Sequence, residues 1–323
     1  MPALLNTVDP EGLEEFSVVF TDRSLNHMSA AFQGVMRDIS AMLKEVYNAE
    51  AVAVVPGGGT FGMEAVARQF ARGVDVLVVR NGWFSYRWSQ IIENGDLTGN
   101  ATVLKARMQG NSTPAPFAPC PIDEVVEAIR AQKPKVVFAP HVETSAGVIL
   151  PDDYIKQMAE AAHEVGALMV LDSIASGCAW VDMKALGIDV LISAPQKGWS
   201  ASPSAGLVMM SARAVARLAE TTSDSFAIDL GKWYSIMQAY ENGGHAYHST
   251  MPTDALRGFR DTMKETQAYG FERLKEAQWR LGDGVRNMLA ERGVVSVAAE
   301  GYGAPGVVVS YTNDPSVQNG KAF

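Results

Sequence analysis

The feature that most constrains this chain is a rhythm that begins near residue 51. Short, uninterrupted apolar runs, rich in β-branched residues, alternate with longer amphipathic stretches. The runs are Ala51–Val55, Val74–Val79, Ala101–Leu104, Lys135–Ala139, Ala167–Leu171, Val190–Ser193 and Gly206–Met210. Helical patterns fill several gaps between them, at Met63–Arg72, Ile122–Gln132, Asp153–Val165 and Met183–Leu186. A strand without polar alternation is buried on both faces, and a helical crossover returns the chain to lay the next strand parallel. The pattern therefore predicts an α/β architecture: a mostly parallel sheet sandwiched by helices.

After Pro252 the texture changes. Residues from Asp254 to about Gly293 read as long helical segments with a break near Gly282–Gly284, and Val294–Ala299 and Gly306–Tyr311 read as strands. The expected organisation is an N-terminal arm and large domain over residues 1–255, followed by a smaller α+β unit over residues 256–323. The 36 acidic and 27 basic residues leave a formal charge of −9, and no basic run stands out, which argues against a nucleic-acid partner. No apolar run approaches the roughly 20 residues of a membrane helix. The first residues lack a basic segment followed by an apolar one, and two cysteines, Cys120 and Cys178, are too few for a disulfide framework. These features predict a cytoplasmic protein without membrane contact.

Open α/β sheets bind ligands at the carboxyl ends of their strands, so the residues that follow each run carry the functional signal. Pro56-Gly57-Gly58-Gly59-Thr60 lies between a strand and a helix, where glycines allow close backbone approach and free N–H groups face an anion. A plain tight turn explains such a segment equally well. Asp172 closes the run Ala167–Leu171 and offers a charge partner for a cationic heterocycle nitrogen; taken alone it is better read as a helix cap. Lys197 follows the run Val190–Ser193. Partial burial there would lower its pKa and make its amine a nucleophile for carbonyls, although most lysines are solvated. Together the three supply a phosphate site, an anion for a ring nitrogen and an amine for an aldehyde. Those are the contacts pyridoxal phosphate requires. No metal site is expected.

In these motifs the chain resembles the class V aminotransferases, fold type I pyridoxal-phosphate enzymes, and within them the alanine–glyoxylate and serine–glyoxylate branch. The resemblance runs from about residue 20 to the last residue. It rests on Gly57–Thr60, Asn81-Gly82-Trp83-Phe84-Ser85 with Arg87, His141-Val142-Glu143-Thr144-Ser145-Ala146-Gly147, Asp172-Ser173, Gln196-Lys197 and Tyr247-His248-Ser249-Thr250-Met251-Pro252. Asp172 and Lys197 stand 197 − 172 = 25 positions apart, close to the family's spacing.

The resemblance implies a seven-stranded, mostly parallel sheet and a pyridoxal 5'-phosphate cofactor held by Lys197 as a Schiff base. The freed Lys197 amine would then carry the proton between the substrate Cα and the cofactor's C4′. It implies Asp172 at the pyridine nitrogen, Thr144 near the ring hydroxyl, and Gly58, Gly59, Thr60 and Gln196 on the phosphate. Phe84 would stack on the ring, with Trp83 as the competing residue. Tyr247 and Thr250 would reach the phosphate of a partner subunit, making the enzyme a homodimer with shared sites. His141 and Glu143 are placed on the substrate side without an assigned role.

The implied reaction moves an amino group between a small amino acid and a small 2-oxo acid by a ping-pong route. A lyase or desulfurase on the same fold, or a cofactor-binding protein without turnover, are the alternatives. The chain departs from the family at Gly58, where serine is frequent. It also departs at Asn319–Phe323, which end partway through the family's small domain, before the arginine expected to hold the substrate carboxylate. Arg87 is the only candidate stand-in.

Overall fold

The computed structural model describes residues 25–317, save 112, 313 and 315; most of the N-terminal arm and the final residues Asn319–Phe323 fall outside the described part. The chain opens with helix α1 (Ala30–Tyr47), strand β1 (Ala51–Pro56) and α2 (Gly59–Phe70). Then follow β2 (Val76–Arg80), α3 (Tyr86–Asn94), β3 (Ala101–Lys105), α4 (Ile122–Gln132), β4 (Val136–Pro140), α5 (Asp152–Glu164) and β5 (Leu168–Asp172). The short α6 (Met183–Leu186), β6 (Val190–Ser193) and β7 (Ala205–Met210) complete the sheet, and α7 (Ala212–Glu220), α8 (Leu230–Glu241), α9 (Thr253–Tyr269) and α10 (Phe271–Ala290) follow.

The seven strands lie in the order β1-β7-β6-β5-β4-β2-β3. Neighbours from β6 across to β3 are parallel, whereas β7 runs antiparallel to both β6 and β1. Two reversals restore the direction, so β1 points the same way as β6. The carboxyl ends of β1, β2, β4, β5 and β6 therefore share one edge of the sheet, and the segments singled out above emerge there together. Central strands such as Leu168–Asp172 and Val136–Pro140 are buried along their whole length. That is why they read as continuous apolar runs rather than alternating ones.

Helix α1 begins where the Ser29 side chain accepts the Phe32 N–H and ends at Asn48 in a left-handed conformation (φ 52°). Its buried stripe Phe32, Val35, Met36, Ile39 and Leu43 recurs every three or four residues, as a helix packed on one side must. Residues Leu256, Phe259 and Met263 of α9 enter the same core, so the core of the sheet extends past the change in texture at Pro252. Smaller apolar clusters form around Val142, Ile149 and Ala304, and around Ala146, Val148 and Ala298.

Two expectations for the C-terminal part are corrected. Val294–Ala299 and Gly306–Tyr311 form no regular strands, because neither segment has a full-length neighbour to ladder with. They meet at one bridge, Ser296 with Ser310, beside the bonds from the Val297 N–H to the Val309 carbonyl (2.9 Å) and from the Tyr311 N–H to the Val295 carbonyl (2.8 Å). Ala298 bridges to Phe117 instead. The break expected at Gly282–Gly284 falls instead at Gly270 (φ 105°), between α9 and α10. Gly282 serves a close crossing: a Cβ there would lie 2.8 Å from Pro305 Cα and 2.9 Å from its carbonyl carbon. Alanine would gain about 1 kcal/mol of helix propensity, but a clash with rigid backbone outweighs it. Gly282→Ala is expected to destabilise the protein by about 1–3 kcal/mol, read as a lower urea midpoint with earlier proteolysis beyond Ala290. An unchanged midpoint would mean that the crossing is not held.

Candidate active site

Strand β1 is followed by Gly57, whose φ of 125° is open to glycine and strained for other residues. Its turn delivers Gly58 as the N-cap of α2, extended at φ −157° and without a side-chain cap. The first amide N–H groups of α2 are thus left to another acceptor, at the positive end of the helix dipole. Across from them, the loop after β6 is fixed by Ser200 N–H donating to the Lys197 carbonyl (3.1 Å) and Ala201 N–H to that of Pro195 (3.0 Å). Ala194, Pro195 and Trp199 anchor this loop by burial while Lys197 stands exposed. The partial burial expected for Lys197 is therefore corrected: the anchors lie on either side of it.

A cavity of about 200 Å³ forms between these segments, lined by Gly59, Thr60, Phe84, Thr144, Asp172, Gln196 and Lys197 together with Met63, Arg87, Val142, Ile174 and Ala175. Seven residues expected from the sequence thus meet in one place, drawn from the ends of five strands. Gly58 adjoins them as the cap of α2. Trp83 does not join them; it is 63% exposed and lines a separate cleft with Arg80 and Lys105, while Phe84 faces the cavity. Tyr247 and Thr250 lie outside the cavity of their own chain, in the segment between α8 and α9; the Tyr247 ring is 5.3 Å from that of His27.

Asp172 is buried, and its Oδ1 accepts the Ile174 N–H at 3.1 Å. No helix starts at that point, so the capping role open to it in the sequence reduces to this local contact. Burial pushes its carboxyl up to about 6; the Glu143 charge adds to the rise, while the Ile174 N–H and Arg87 oppose it. A cation brought beside Asp172 would relieve that penalty. Gln196 Oε1 is buried without a partner, a polar atom that awaits a donor.

His141 and Glu143 do not line the cavity, which corrects their placement on the substrate side. Side chains alternate along the short hairpin that pairs Val142–Glu143 with Val148–Ile149, so Val142 and Thr144 face inward and their neighbours face away. His141 is buried with Nδ1 2.7 Å from Ser176 Oγ, and its imidazole is pushed down to about 3 by burial, then by the charge of Lys275. Glu143 clamps the loop before α3. It accepts the N–H groups of Phe84 (3.1 Å) and Ser85 (2.9 Å) and the Ser85 hydroxyl (2.6 Å), as well as the Ser145 N–H (3.1 Å) and hydroxyl (2.6 Å). Five donors on one buried carboxylate fix the backbone that carries Phe84 and Arg87. Motif reading named Glu143 without this role, and only the neighbouring Ser145 lies close enough in the chain to suggest it.

Neither thiol lines the cavity, and burial pushes both Cys120 and Cys178 up, which disfavours a reactive thiolate and with it a desulfurase. Among the described residues no group of three His, Cys, Asp or Glu could hold a metal ion, and no helix is long and apolar enough to cross a membrane.

Free N–H groups at a helix N-terminus, a buried carboxyl that a cation would stabilise and an accessible primary amine suit one phosphorylated aldehyde with a basic ring nitrogen. The fold is that of the pyridoxal-phosphate enzymes of fold type I, and the cavity gathers groups that would suit their cofactor. The family profile described as "Aminotransferase class-V" matches residues 13–309. The chain belongs to the class V aminotransferase family, whose cofactor is pyridoxal 5'-phosphate.

Curated relatives include the "Soluble hydrogenase, small subunit" of Synechococcus sp., 27% identical over 88% of this chain and 71% of its own length. The L-aspartate–glyoxylate aminotransferase of Paracoccus denitrificans is 27% identical over 81% of this chain and 64% of its own. The alanine–glyoxylate aminotransferase of Felis catus is 27% identical over 77% of this chain and 58% of its own. The chain thus spans just over half to about seven tenths of the length of these relatives. Among solved structures, an alanine–glyoxylate aminotransferase from Nostoc sp. superposes with a TM-score of 0.77 at 21% identity, covering 90% of this chain and 74% of that one. This likeness establishes the shared fold.

Proposed function

We propose that the chain is an aminotransferase that moves an amino group between a small amino acid, of the alanine or serine type, and a small 2-oxo acid, of the glyoxylate or pyruvate type, in two half-reactions. The observation that carries this reading is the meeting of Lys197, Asp172 and the N-terminus of α2 in one cavity. Pyridoxal phosphate, when bound, supplies an aldehyde to which amines add reversibly and a ring that accepts the electron pair left at the substrate Cα.

The chain's own residues divide the remaining work. Lys197 would anchor the cofactor, and its amine, when free, would move the proton at the substrate Cα. Asp172 holds the ring nitrogen protonated through a charge pair in a buried setting. Gly58, Gly59, Thr60 and Gln196 would bind the phosphate, Thr144 would serve the ring hydroxyl, and Phe84 would stack on the ring. Tyr247, 64% exposed, and Thr250 are offered to the site of a second copy in a homodimer. A substrate pair processed in two halves gives ping-pong kinetics. A cytoplasmic location is part of the same proposal.

The test begins with the absorption spectrum of the purified protein and borohydride reduction followed by peptide mapping. Incubation with alanine, serine or aspartate and no acceptor comes next, then glyoxylate or pyruvate. A reduced cofactor fixed on Lys197, 2-oxo acid released by the donor alone, and amino acid formed on adding the acceptor are the expected results. Label on another residue would overturn the role of Lys197. Label on Lys197 with no product from any pair would favour cofactor binding without turnover.

A further inference from the structure

We infer that Arg87 is part of the phosphate cradle of this cavity and does not hold the substrate carboxylate. The inference rests on the pyridoxal-phosphate reading above and deepens it. Arg87 lies in the first turn of α3 and lines the cavity. Its Nη1 donates to Thr60 Oγ1 at 2.9 Å, and its guanidinium carbon stands 5.4 Å from the centre of the Phe84 ring. Hydrogen bond and ring contact together immobilise the group.

Among the described residues no carboxylate pairs with Arg87 within 4.0 Å. A guanidinium carries five N–H donors, and only one is engaged by a side chain here. Asp172 feels the Arg87 charge across the cavity but does not pair with it, so the fixed cation is left open to a ligand anion at close range.

Two anions could fill that role, and the bond to Thr60 decides between them. Thr60 sits in the first turn of α2, where the free amide N–H groups and the positive end of the helix dipole already favour phosphate. A hydroxyl has one proton and two lone pairs. When Arg87 fills a lone pair, the proton is left to donate to the same anion. Arg87 therefore acts on the phosphate directly and by orienting Thr60. The need is greater because Gly58 contributes no side-chain donor, although a Cβ there would meet nothing within 4 Å.

The test removes the bound cofactor from the purified protein and titrates it back as pyridoxal phosphate or as pyridoxal, which lacks the phosphate, for wild type, Arg87→Met and Arg87→Lys. Arg87→Met is expected to weaken pyridoxal phosphate by about 10- to 100-fold, the worth of a charged hydrogen bond, and to leave pyridoxal affinity unchanged. Arg87→Lys keeps the charge without the fork and should show a smaller loss confined to the phosphorylated form. It carries the test if Arg87→Met no longer melts cooperatively. Equal losses for both ligands would overturn the inference. So would unchanged cofactor affinity with a raised KM for the amino acid, which would put Arg87 on the substrate carboxylate. Borohydride mapping of the wild type separates the two levels, since failure to label Lys197 would sink the wider reading, whereas a labelled Lys197 without the phosphate-specific loss would sink only the role of Arg87.

Discussion

Lys197→Ala is expected to lower turnover by a factor on the order of 10,000 or more, because it removes the covalent anchor and the proton carrier at once. The fold should survive. The loop is tied by backbone hydrogen bonds at Lys197 and Pro195 that do not involve the side chain, and its burial is supplied by Ala194, Pro195 and Trp199. The thermal melt should therefore remain cooperative and close to that of wild type, and borohydride should leave no label on the peptide. A small primary amine added to the variant would restore proton transfer but not attachment, so partial rescue by such amines would separate the two roles. Turnover within tenfold of wild type, in either half-reaction, would remove Lys197 from the mechanism.

The sheet was legible because its strands are buried on both faces. Residues Val136–Pro140 or Leu168–Asp172 have no solvent side, so their runs stand out against the amphipathic helices. The site was legible for a related reason. In such a sheet only strand ends reach a ligand, and the residues at the ends of β1, β5 and β6 together offer the three contacts that one cofactor needs. What lay beyond the sequence depended on partners distant in the chain. Clamping of the Phe84 loop needs Glu143 and Ser85, 58 positions apart, and no local pattern announces that pairing. The choice between Phe84 and Trp83 turned on one step of loop register, which the Glu143 clamp sets. Gly282 and Gly284 looked like helix breakers because propensity sees only the helix, whereas Gly282 answers to Pro305 across the crossing. Val294–Ala299 had the composition of a strand but found no neighbour of matching length, and strand formation depends on that neighbour.

Asp172→Asn is expected to slow turnover by on the order of 100- to 1,000-fold, since removing one member of a buried charge pair leaves the other without compensation. Its pH signature is more specific than its size. In the cofactor-free chain burial raises the Asp172 carboxyl from 3.8 to about 6, so the folded state binds this proton more tightly than the unfolded one. Stability from this group is present in full below about 3.8 and is lost as pH rises through about 6. A difference of about two units corresponds to about 3 kcal/mol. The cofactor-free Asn variant should lack that decline, so its stability relative to wild type should increase between pH 4 and pH 6.5. A protonated ring nitrogen reverses the preference, because it favours the carboxylate. Wild-type affinity for pyridoxal phosphate should therefore climb with pH through about 6, and Asp172→Asn should lose that climb while keeping whatever pH dependence the phosphate itself brings. Parallel affinity profiles for the two proteins across this range would mean that Asp172 does not face the ring nitrogen.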